Sequence, residues 1–381
     1  MTREAKRRVL VIGATGNFGR RICKRLLTDP GIHLLASSRS LASAERLVEE
    51  LSLDAPAARV SAVALDQAAT SLRDDLRAID PFVVVHTAGP YQGQDYRVAE
   101  ACVHHACHYV DLADGRDFVM NFAALNEAAF VKDILLVSGA STLPALSGAV
   151  IEKLRTDFAS LESVGISIAP GHRTPRGSGT VAAVLSYCGQ EFAQLRDGEW
   201  RKTYGWQDWR VFRYPRMRRR VGGACDVPDL VLLPARFPEL RSVSFHAALE
   251  APWEQLALWL MAGLTRLGIV NDWSRLAKPF RRLSNALDGL GSDTGAMHVR
   301  LRGTGLQGQP LDRCWFLTAR HNNGPEIPAV PAVIVVRKLL AGTLLERGAT
   351  SCYGLISLDE FEREVAALDF EYDVVDHGDK R

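Results

Sequence analysis

Residues 9–21 read VLVIGATGNFGRR, a short apolar run followed by glycines at 13, 16 and 19 and then by two arginines. In a strand–turn–helix unit each glycine has its own task. Gly13 permits the tight turn, Gly16 lets the backbone approach a pyrophosphate, and Gly19 lets the helix pack close to the sheet. The N–H groups at the start of the helix then face the anion. This stretch therefore predicts a nucleotide-binding strand, turn and helix.

Apolar runs and helical patterns alternate after this turn. Strands are predicted at 33–37, 60–65, 82–87, 109–112 and 134–138, and helices at 18–27, 41–51, 96–105 and 118–130. This alternation is typical of α/β proteins, here a Rossmann fold with a doubly wound parallel sheet. We expect this domain to span residues 1–145.

The pattern changes after residue 145. Strand-like runs at 164–169, 243–247, 297–301 and 315–319 are mixed with a loop, PGHRTPRGSGT, that is rich in Gly, Pro and Arg. We expect a second, α+β domain over residues 146–325. Residues 326–381 begin EIPAVPAV and predict a helix that returns to complete the first domain.

The residues that follow the second strand decide between NAD and NADP. NAD-binding folds place an acid there for the ribose 2′-OH, and NADP-binding folds supply an arginine for the 2′-phosphate. Here Ser38, Arg39 and Ser40 follow the strand, with no acid among them. Because a guanidinium can bind a phosphate with two hydrogen bonds, the sequence predicts NADP.

Two other loops are candidates for the same cofactor. Asp66 ends the third strand, where it either lies beside the adenine or forms a turn or helix cap. Ala88, Gly89 and Pro90 follow the fourth strand, where the chain would pass the nicotinamide.

Four motifs together resemble a known family. GATGNFGRRI, SSRS, VVVHTAGPYQGQDYRVAEAC and HYVDLADGRDFV are similar to the saccharopine dehydrogenase-like NADP-binding oxidoreductases over about residues 8–145. GHRTPRGSGT and IPAVPAV extend the resemblance more weakly. It implies an NADP-binding Rossmann domain and a second α/β domain that carries the substrate and often a dimer contact.

The resemblance also implies roles for single residues. Those implied to hold the pyrophosphate are Gly13, Thr15, Gly16, Asn17, Phe18 and Gly19. Ser38 and Arg39 would hold the 2′-phosphate, while Gly89, Pro90 and Tyr91 would face the nicotinamide and the substrate. Relatives that act on amino acids tend to have an Asp-Pro-Gly turn after the last Rossmann strand. Leu143 precedes Pro144 here, which puts a lysine-pathway substrate in doubt.

The catalytic candidates lie at the predicted carboxyl ends of the strands and in the glycine-rich loop. No tyrosine has a lysine four positions later, which argues against a short-chain dehydrogenase mechanism. Tyr91 or His172 could supply a proton, and Asp114 could take part, although Asp114 could equally cap or pair with Arg116 and His172 could be solvated. Further members of this predicted cluster are Asp111, Ser141, Arg173 and Arg176.

Composition narrows the partners and the location. The 46 basic and 44 acidic residues leave a net charge of +2, too small to suggest nucleic acid. The N-terminus has no apolar leader, and the seven cysteines form no C-x-x-C pair, so we expect a cytoplasmic protein without disulfides. Cys102 and Cys107 near three histidines are only a weak metal signal, and we expect no metal.

The segment WEQLALWLMAGLTRLGIV at 253–270 is apolar but carries Glu254, Gln255 and Arg266. We expect a buried or oligomer-interface helix in a homodimer. Peripheral membrane contact through the apolar residues Trp253, Leu256, Leu260 and Leu264 is the alternative.

These features predict an NADP(H)-dependent oxidoreductase that transfers hydride to or from a C–N, C=O or C=C bond of a small or lipid-like substrate. One alternative is a non-catalytic NADP-binding sensor. Another is a trans-acting enoyl reductase-like enzyme with a long apolar groove, which Trp206, Trp209, Trp253 or Trp259 would line.

Overall fold

The computed structural model describes residues 7–53, 59–175, 177–286, 289 and 291–377. The chain divides into two compact units. The first comprises residues 1–146 and 326–356, and the second comprises residues 147–325 and 357–381. Each unit contains a seven-stranded sheet.

The first sheet is parallel throughout. Its strands are β1 (Arg8–Ile12), β2 (His33–Ser38), β3 (Val60–Ala64), β4 (Val83–His86), β5 (His108–Asp111), β6 (Leu135–Ser138) and β15 (Gly348–Ser351). They lie in the order β15-β6-β5-β4-β1-β2-β3, so the chain reverses direction across the sheet between β1 and β4. The predicted Rossmann fold with a doubly wound sheet is confirmed. In such sheets ligands bind at this reversal, outside the carboxyl ends of the strands.

The helices of the first unit connect these strands. They are α1 (Asn17–Leu26), α2 (Leu41–Leu51), α3 (Leu72–Ile79), α4 (Arg97–His105), α5 (Arg116–Asn121), α6 (Asn126–Val131) and α12 (Val330–Ala341). The helix predicted at 118–130 is in fact α5, a 3-10 turn at Phe122–Leu125 and α6. From Val330 to Val336 every residue of α12 is buried, and the helix contacts α1 and β5.

The second sheet is mixed. Its strands are β7 (Phe158–Ala169), β10 (Arg210–Phe212), β11 (Arg220–Ala224), β12 (Ser242–Leu249), β13 (Gly295–Gly305), β14 (Pro310–Ala319) and β16 (Phe370–Asp376). The order is β10-β11-β12-β7-β13-β14-β16, and only β12 and β7 pair in parallel. A separate antiparallel hairpin joins β8 (Glu191–Arg196) to β9 (Glu199–Tyr204). The second α+β domain is therefore present.

The described part of the second unit also contains six α-helices: α7 (Ser147–Leu154), α8 (Ser178–Ser186), α9 (Asp229–Arg236), α10 (Pro252–Arg266), α11 (Ala277–Ala286) and α13 (Leu358–Glu364). The sequence assigned residues 326–381 to the first domain. Residues 326–356 follow that assignment, whereas β16 pairs with β14 and thereby places the end of the chain in the second unit. No helix in the described residues is long and apolar enough to cross a membrane.

Candidate functional site

The glycine-rich turn lies between β1 and α1 and is held by both neighbouring strands. Gly13 has a φ of 80°, a left-handed conformation that suits glycine. The Thr87 hydroxyl, just after β4, lies 2.9 Å from the carbonyl oxygen of Ile12 and 3.1 Å from that of Gly13. On the other side, the N–H of Ala14 donates to the carbonyl of Ser37 at 3.1 Å. The turn is therefore fixed to the ends of β2 and β4.

Gly19 and Gly16 differ in what a side chain would meet. A Cβ on Gly19 would lie 2.3 Å from the carbonyl oxygen of Gly13 and 2.8 Å from the Cα of Ala14, so only glycine lets α1 pack this closely. A Cβ on Gly16 would meet only that Gly13 oxygen, at 3.1 Å, and its other side is open. The turn thus forms a cradle that a side chain at Gly16 would enter, as expected for a pyrophosphate site.

The first turn of α1 continues this cradle. Gly16 is the N-cap residue, and the N–H of Arg20 donates to the Gly16 carbonyl at 3.1 Å. The N–H groups that precede Arg20 belong to the open end of the helix, which favours an anion. Arg21 donates to the side-chain oxygen of Asn17 at 2.6 Å, which places a guanidinium close to this end.

A cleft beside the turn contains the expected 2′-phosphate residue Ser38. The residues that line this cleft are Thr15, Arg20, Ser38, Ser43, Arg46, Leu47 and Glu50. Arg39 and Ser40 are exposed after β2, and the N–H of Ser40 lies 3.4 Å from the Ser38 hydroxyl oxygen.

Ser43 and Arg46, which the sequence did not single out, join this cleft from the first turns of α2. The guanidinium of Arg46 donates to the Ser43 hydroxyl at 3.1 Å. The charge of Arg20 is paired with Glu50, and the hydrogen bond from Arg20 lowers the pKa of that carboxyl. The spacing of Ser43 and Arg46, one helical turn apart, was the signal that could have indicated a shared surface.

The structure gives Asp66 the role of a turn residue. Its carboxylate accepts the N–H of Ala68 at 3.0 Å, and the side chain is otherwise exposed. Ala88 lies in the loop after β4, where its carbonyl accepts the side-chain amide of Gln94 at 2.9 Å. That amide also donates to the Pro90 carbonyl at 2.6 Å, so Gln94 shapes this loop. Gly89 and Pro90 are exposed and are joined by a cis peptide bond.

Tyr91 is buried with its hydroxyl group engaged by the main chain. The hydroxyl donates to the carbonyl of His86 at 2.6 Å and lies 3.4 Å from the N–H of Leu112. Burial, with the nearby charge of Asp111, raises the pKa of this phenol well above its ordinary value. The arrangement joins the ends of β4 and β5.

Asp111 is a buried acceptor that ties β5 to β6. Its Oδ1 accepts the N–H of Ala113 at 2.9 Å, the N–H of Gly139 at 2.8 Å and the hydroxyl of Ser138 at 3.0 Å. Burial raises its pKa to about 6 despite these hydrogen bonds. This pattern matches a structural role at the carboxyl ends of the strands.

Asp114 is different because it is only partly buried. It accepts the side-chain amide of Gln92 at 3.1 Å, and burial raises its pKa. Both side chains follow the ends of parallel strands, β5 and β4, where a ligand would bind. Gln92 belongs to the motif VVVHTAGPYQGQDYRVAEAC, but the sequence pattern did not predict a role for it.

His172 belongs to the second unit and is buried, not solvated. Its main-chain N–H donates to Glu250 Oε2 at 3.0 Å, and its ring Nδ1 lies 3.4 Å from Glu254 Oε2. The N–H of Arg173 donates to the Ser292 carbonyl at 3.0 Å. Arg176 lies outside the described residues.

Two of the histidines around 102–108 bond to different groups. His105 pairs with Asp80 at 3.2 Å, and His108 Nδ1 accepts the N–H of Leu135 at 3.0 Å. All seven cysteines are free and buried. Among the residues with described positions, no three His, Cys, Asp or Glu side chains form a group suited to a metal.

The four tryptophans proposed to line an apolar groove differ in exposure. Trp206 is buried, and its indole N–H donates to the Val184 carbonyl at 2.8 Å. Trp209, Trp253 and Trp259 are exposed on the second unit.

Comparisons with known proteins fall into three groups. Residues 9–135 match the family model for the saccharopine dehydrogenase NADP-binding domain. The fold is similar to that of apo histidine-tagged saccharopine dehydrogenase (L-Glu forming) from Saccharomyces cerevisiae, with a TM-score of 0.67 and 13% identity over 97% of this chain and 100% of that one. Amine dehydrogenase from Mycobacterium smegmatis is more remote, with a TM-score of 0.47 and 10% identity over 91% of this chain and 94% of that one. Among curated protein sequences nothing matches.

Proposed function

We propose that this chain, whose residues 9–135 form an NADP-binding domain of the saccharopine dehydrogenase type, is an NADP(H)-dependent oxidoreductase. The observation that carries the proposal is the glycine cradle fixed to β2 and β4, together with the cleft that holds Ser38, Ser43 and Arg46. Its substrate is a small or lipid-like molecule with a C–N, C=O or C=C bond.

The binding roles follow from position. Gly13, Gly16 and Gly19 shape the cradle, and the start of α1, with Thr15, Asn17 and Phe18, receives the pyrophosphate. Ser38, Arg39 and Ser40, joined by Ser43 and Arg46, would hold the 2′-phosphate. Asp66 would contribute through the turn that it fixes beside the adenosine half. Ala88, Gly89 and Pro90 would border the nicotinamide.

The bound dinucleotide supplies the hydride, so the protein must orient the substrate and handle one proton. We propose Asp114 as the first catalytic candidate, since it is partly exposed at the end of β5, where a ligand would bind, and burial raises its pKa, which favours the form that can donate a proton. The amide of Gln92 holds this carboxyl in place. Tyr91 is better suited to positioning, because its hydroxyl already bonds to the main chain. His172 stays a candidate from the second unit.

Titration with the two dinucleotides tests the cofactor preference. The wild-type chain should bind NADPH more tightly than NADH. Arg39→Glu should weaken NADPH binding by about tenfold or more and leave NADH nearly unchanged, because only NADPH carries the 2′-phosphate. Arg73→Glu, an exposed change of equal charge on α3, is the matched control. Equal or tighter binding of NADH to the wild type would show that the argument from Arg39 is wrong.

A non-catalytic NADP sensor remains the second candidate, and the engaged hydroxyl of Tyr91 favours it. A panel of carbonyl, imine and enoyl compounds, assayed by loss of NADPH absorbance, separates the two. Turnover that falls in Asp114→Asn while NADPH affinity is kept supports an enzyme. NADPH binding without turnover of any compound supports a sensor. Turnover confined to long-chain enoyl compounds would favour the enoyl reductase-like alternative. The expected homodimer stays a prediction, to be measured by light scattering.

A further inference from the structure

The solvent-facing side of α10 is apolar, the reverse of an ordinary surface helix. Trp253, Leu256 and Leu260 are 47%, 57% and 54% exposed, and Trp259 and Leu264 are exposed beside them. The spacing of 253, 256, 260 and 264 by three and four residues places these side chains along one helix face. A surface helix normally presents charged and polar residues there.

Two polar residues of α10, Glu254 and Gln255, lie on its inner side, whereas Arg266 at its end is exposed. Gln255 is buried, and its amide donates to the Trp206 carbonyl at 3.2 Å. Glu254 is largely covered and lies near His172, as described above. These two polar side chains hold the helix against its own unit. Its outer face is apolar and is suited to contact with another apolar surface.

Exposed apolar residues continue past the end of α10, and basic residues follow them in the chain. Leu267 and Ile269 are 75% and 64% exposed. The Trp273 indole N–H donates to the Thr265 hydroxyl at 2.9 Å, which holds the following segment against the end of α10. Residues 266–286 contain five basic residues and one acidic residue, which gives a net charge of +4. Arg275, Lys278 and Arg282 are exposed members of this group.

We propose that the outer face of α10, with the basic segment after it, docks on an anionic lipid bilayer surface. At 15 residues α10 is too short to span a bilayer and would lie in the plane of the interface. Tryptophan and leucine on one face suit insertion among the acyl chains, while arginine and lysine attract acidic headgroups.

The charges decide between lipid and a second copy of this chain. Two copies paired through this face would combine two groups with a net charge of +4 in one assembly, which favours an acidic partner over a second copy. An acidic bilayer neutralises them instead. The proposal does not depend on the proposed oxidoreductase activity, because it concerns binding alone.

Vesicle co-sedimentation of the full chain tests the proposal. The vesicles are phosphatidylcholine alone or an equal mixture with phosphatidylglycerol, each at low and high salt. The wild type should bind the anionic vesicles, bind phosphatidylcholine weakly and be released in part by salt. Leu256→Glu with Leu260→Glu should bind about tenfold less, since charged residues are costly in the acyl region.

Two matched variants complete the design. Val131→Glu with Leu306→Glu adds the same charge at exposed apolar sites elsewhere and should bind like the wild type. Arg275→Gln with Lys278→Gln should lose mainly the preference for acidic lipid. Thermal unfolding confirms that each variant is folded.

Three results would overturn the proposal. The first is wild-type protein that binds neither kind of vesicle. The second is a Leu256/Leu260 variant that binds vesicles as well as the wild type. The third is a wild type that is a dimer by light scattering and does not bind vesicles, while the Leu256/Leu260 variant is a monomer. The third result would assign the face to a second copy of the chain.

Discussion

The hydroxyl of Tyr91 donates a hydrogen bond of 2.6 Å to the main-chain carbonyl of His86, inside the first unit. The ring packs on Phe118 with centroids 5.4 Å apart, and the hydroxyl also meets the Leu112 N–H. Through these two hydrogen bonds the hydroxyl links the ends of β4 and β5, which border the expected cofactor site. Its role is therefore to hold the shape of that site.

We expect Tyr91→Phe to lower the free energy of unfolding by about 1–2 kcal/mol, because a buried carbonyl loses its partner. NADPH affinity should change little. Urea unfolding and NADPH titration measure the two effects. Tyr204→Phe is the control, since that hydroxyl bonds to Glu191 at an exposed site. An unchanged unfolding free energy in Tyr91→Phe would contradict the positioning role.

The first unit was largely predictable because its strands are covered on both faces. Such strands form continuous apolar runs that are bounded by turn residues. The predicted helix at 41–51 agrees with α2 to the residue, and the predicted strand ends differ from the observed ones by at most one residue. In contrast, β15 has the sequence GATS and gains its strand conformation by pairing with β6, so no local pattern indicated it.

The second unit was less predictable because several of its strands, among them β9, β10 and β16, consist mostly of exposed or half-buried residues. One local signal in the sequence was not used, namely the Asp-Gly pair at 197–198, which is typical of a two-residue hairpin turn. Both residues have a positive φ in the structure, as this turn between β8 and β9 requires. The site shows the same limit. The sequence predicted that Tyr91 and Asp114 lie at the ends of neighbouring strands. It did not predict the hydrogen bond from the Tyr91 hydroxyl to the His86 carbonyl.

Two glycines of the cradle should separate binding from folding. Gly16→Ala should abolish most NADPH binding and leave unfolding within about 1 kcal/mol of wild type, because its Cβ would meet only the Gly13 carbonyl oxygen, at 3.1 Å, and otherwise faces open space. Gly19→Ala should lose both, since its Cβ would overlap main-chain atoms of the turn. Gly324→Ala, where a Cβ would meet nothing within 4 Å, is the control. Equal loss of stability in Gly16→Ala and Gly19→Ala would argue against a cradle at Gly16.

Glu250 should make the second unit sensitive to acid. Burial would raise the pKa of this carboxyl, but hydrogen bonds from Ser292, His172 and Arg220 outweigh it and lower the pKa to about 2. Arg220 is itself buried, with its Nη1 2.9 Å from Glu250. A carboxyl with a lowered folded pKa stabilises the fold above its unfolded pKa of about 4, and this stabilisation is lost as the pH falls toward 2.

Glu250→Gln should therefore cost about 3 kcal/mol near neutral pH, because it leaves Arg220 buried without its counter-charge. The difference from wild type should shrink steadily below about pH 4. Urea unfolding across that pH range measures it. Glu239→Gln, at an exposed position of the same unit, should track the wild type throughout. A difference that does not vary with pH would mean that the carboxylate charge is unimportant.

Asp229 should have the opposite pH dependence. Burial raises its pKa to about 7, even though the hydroxyl of Ser147 donates to it at 2.5 Å. Its Oδ2 has no hydrogen-bond partner in the described part of the chain. The folded state thus prefers the protonated acid. Its contribution to stability is fully present below the unfolded pKa of about 4 and is lost as the pH rises through about 7.

We expect Asp229→Asn to be more stable than wild type by about 1 kcal/mol or more above pH 7, where the wild type must bury a charge. Below about pH 4 the order should reverse, because the neutral acid fits the site and the amide brings an extra donor. Urea unfolding at acidic, neutral and alkaline pH follows this crossing. Asp74→Asn, at an exposed site on α3, should show no crossing. If Asp229→Asn is the less stable protein at every pH, Asp229 is buried as a carboxylate and its partner lies elsewhere.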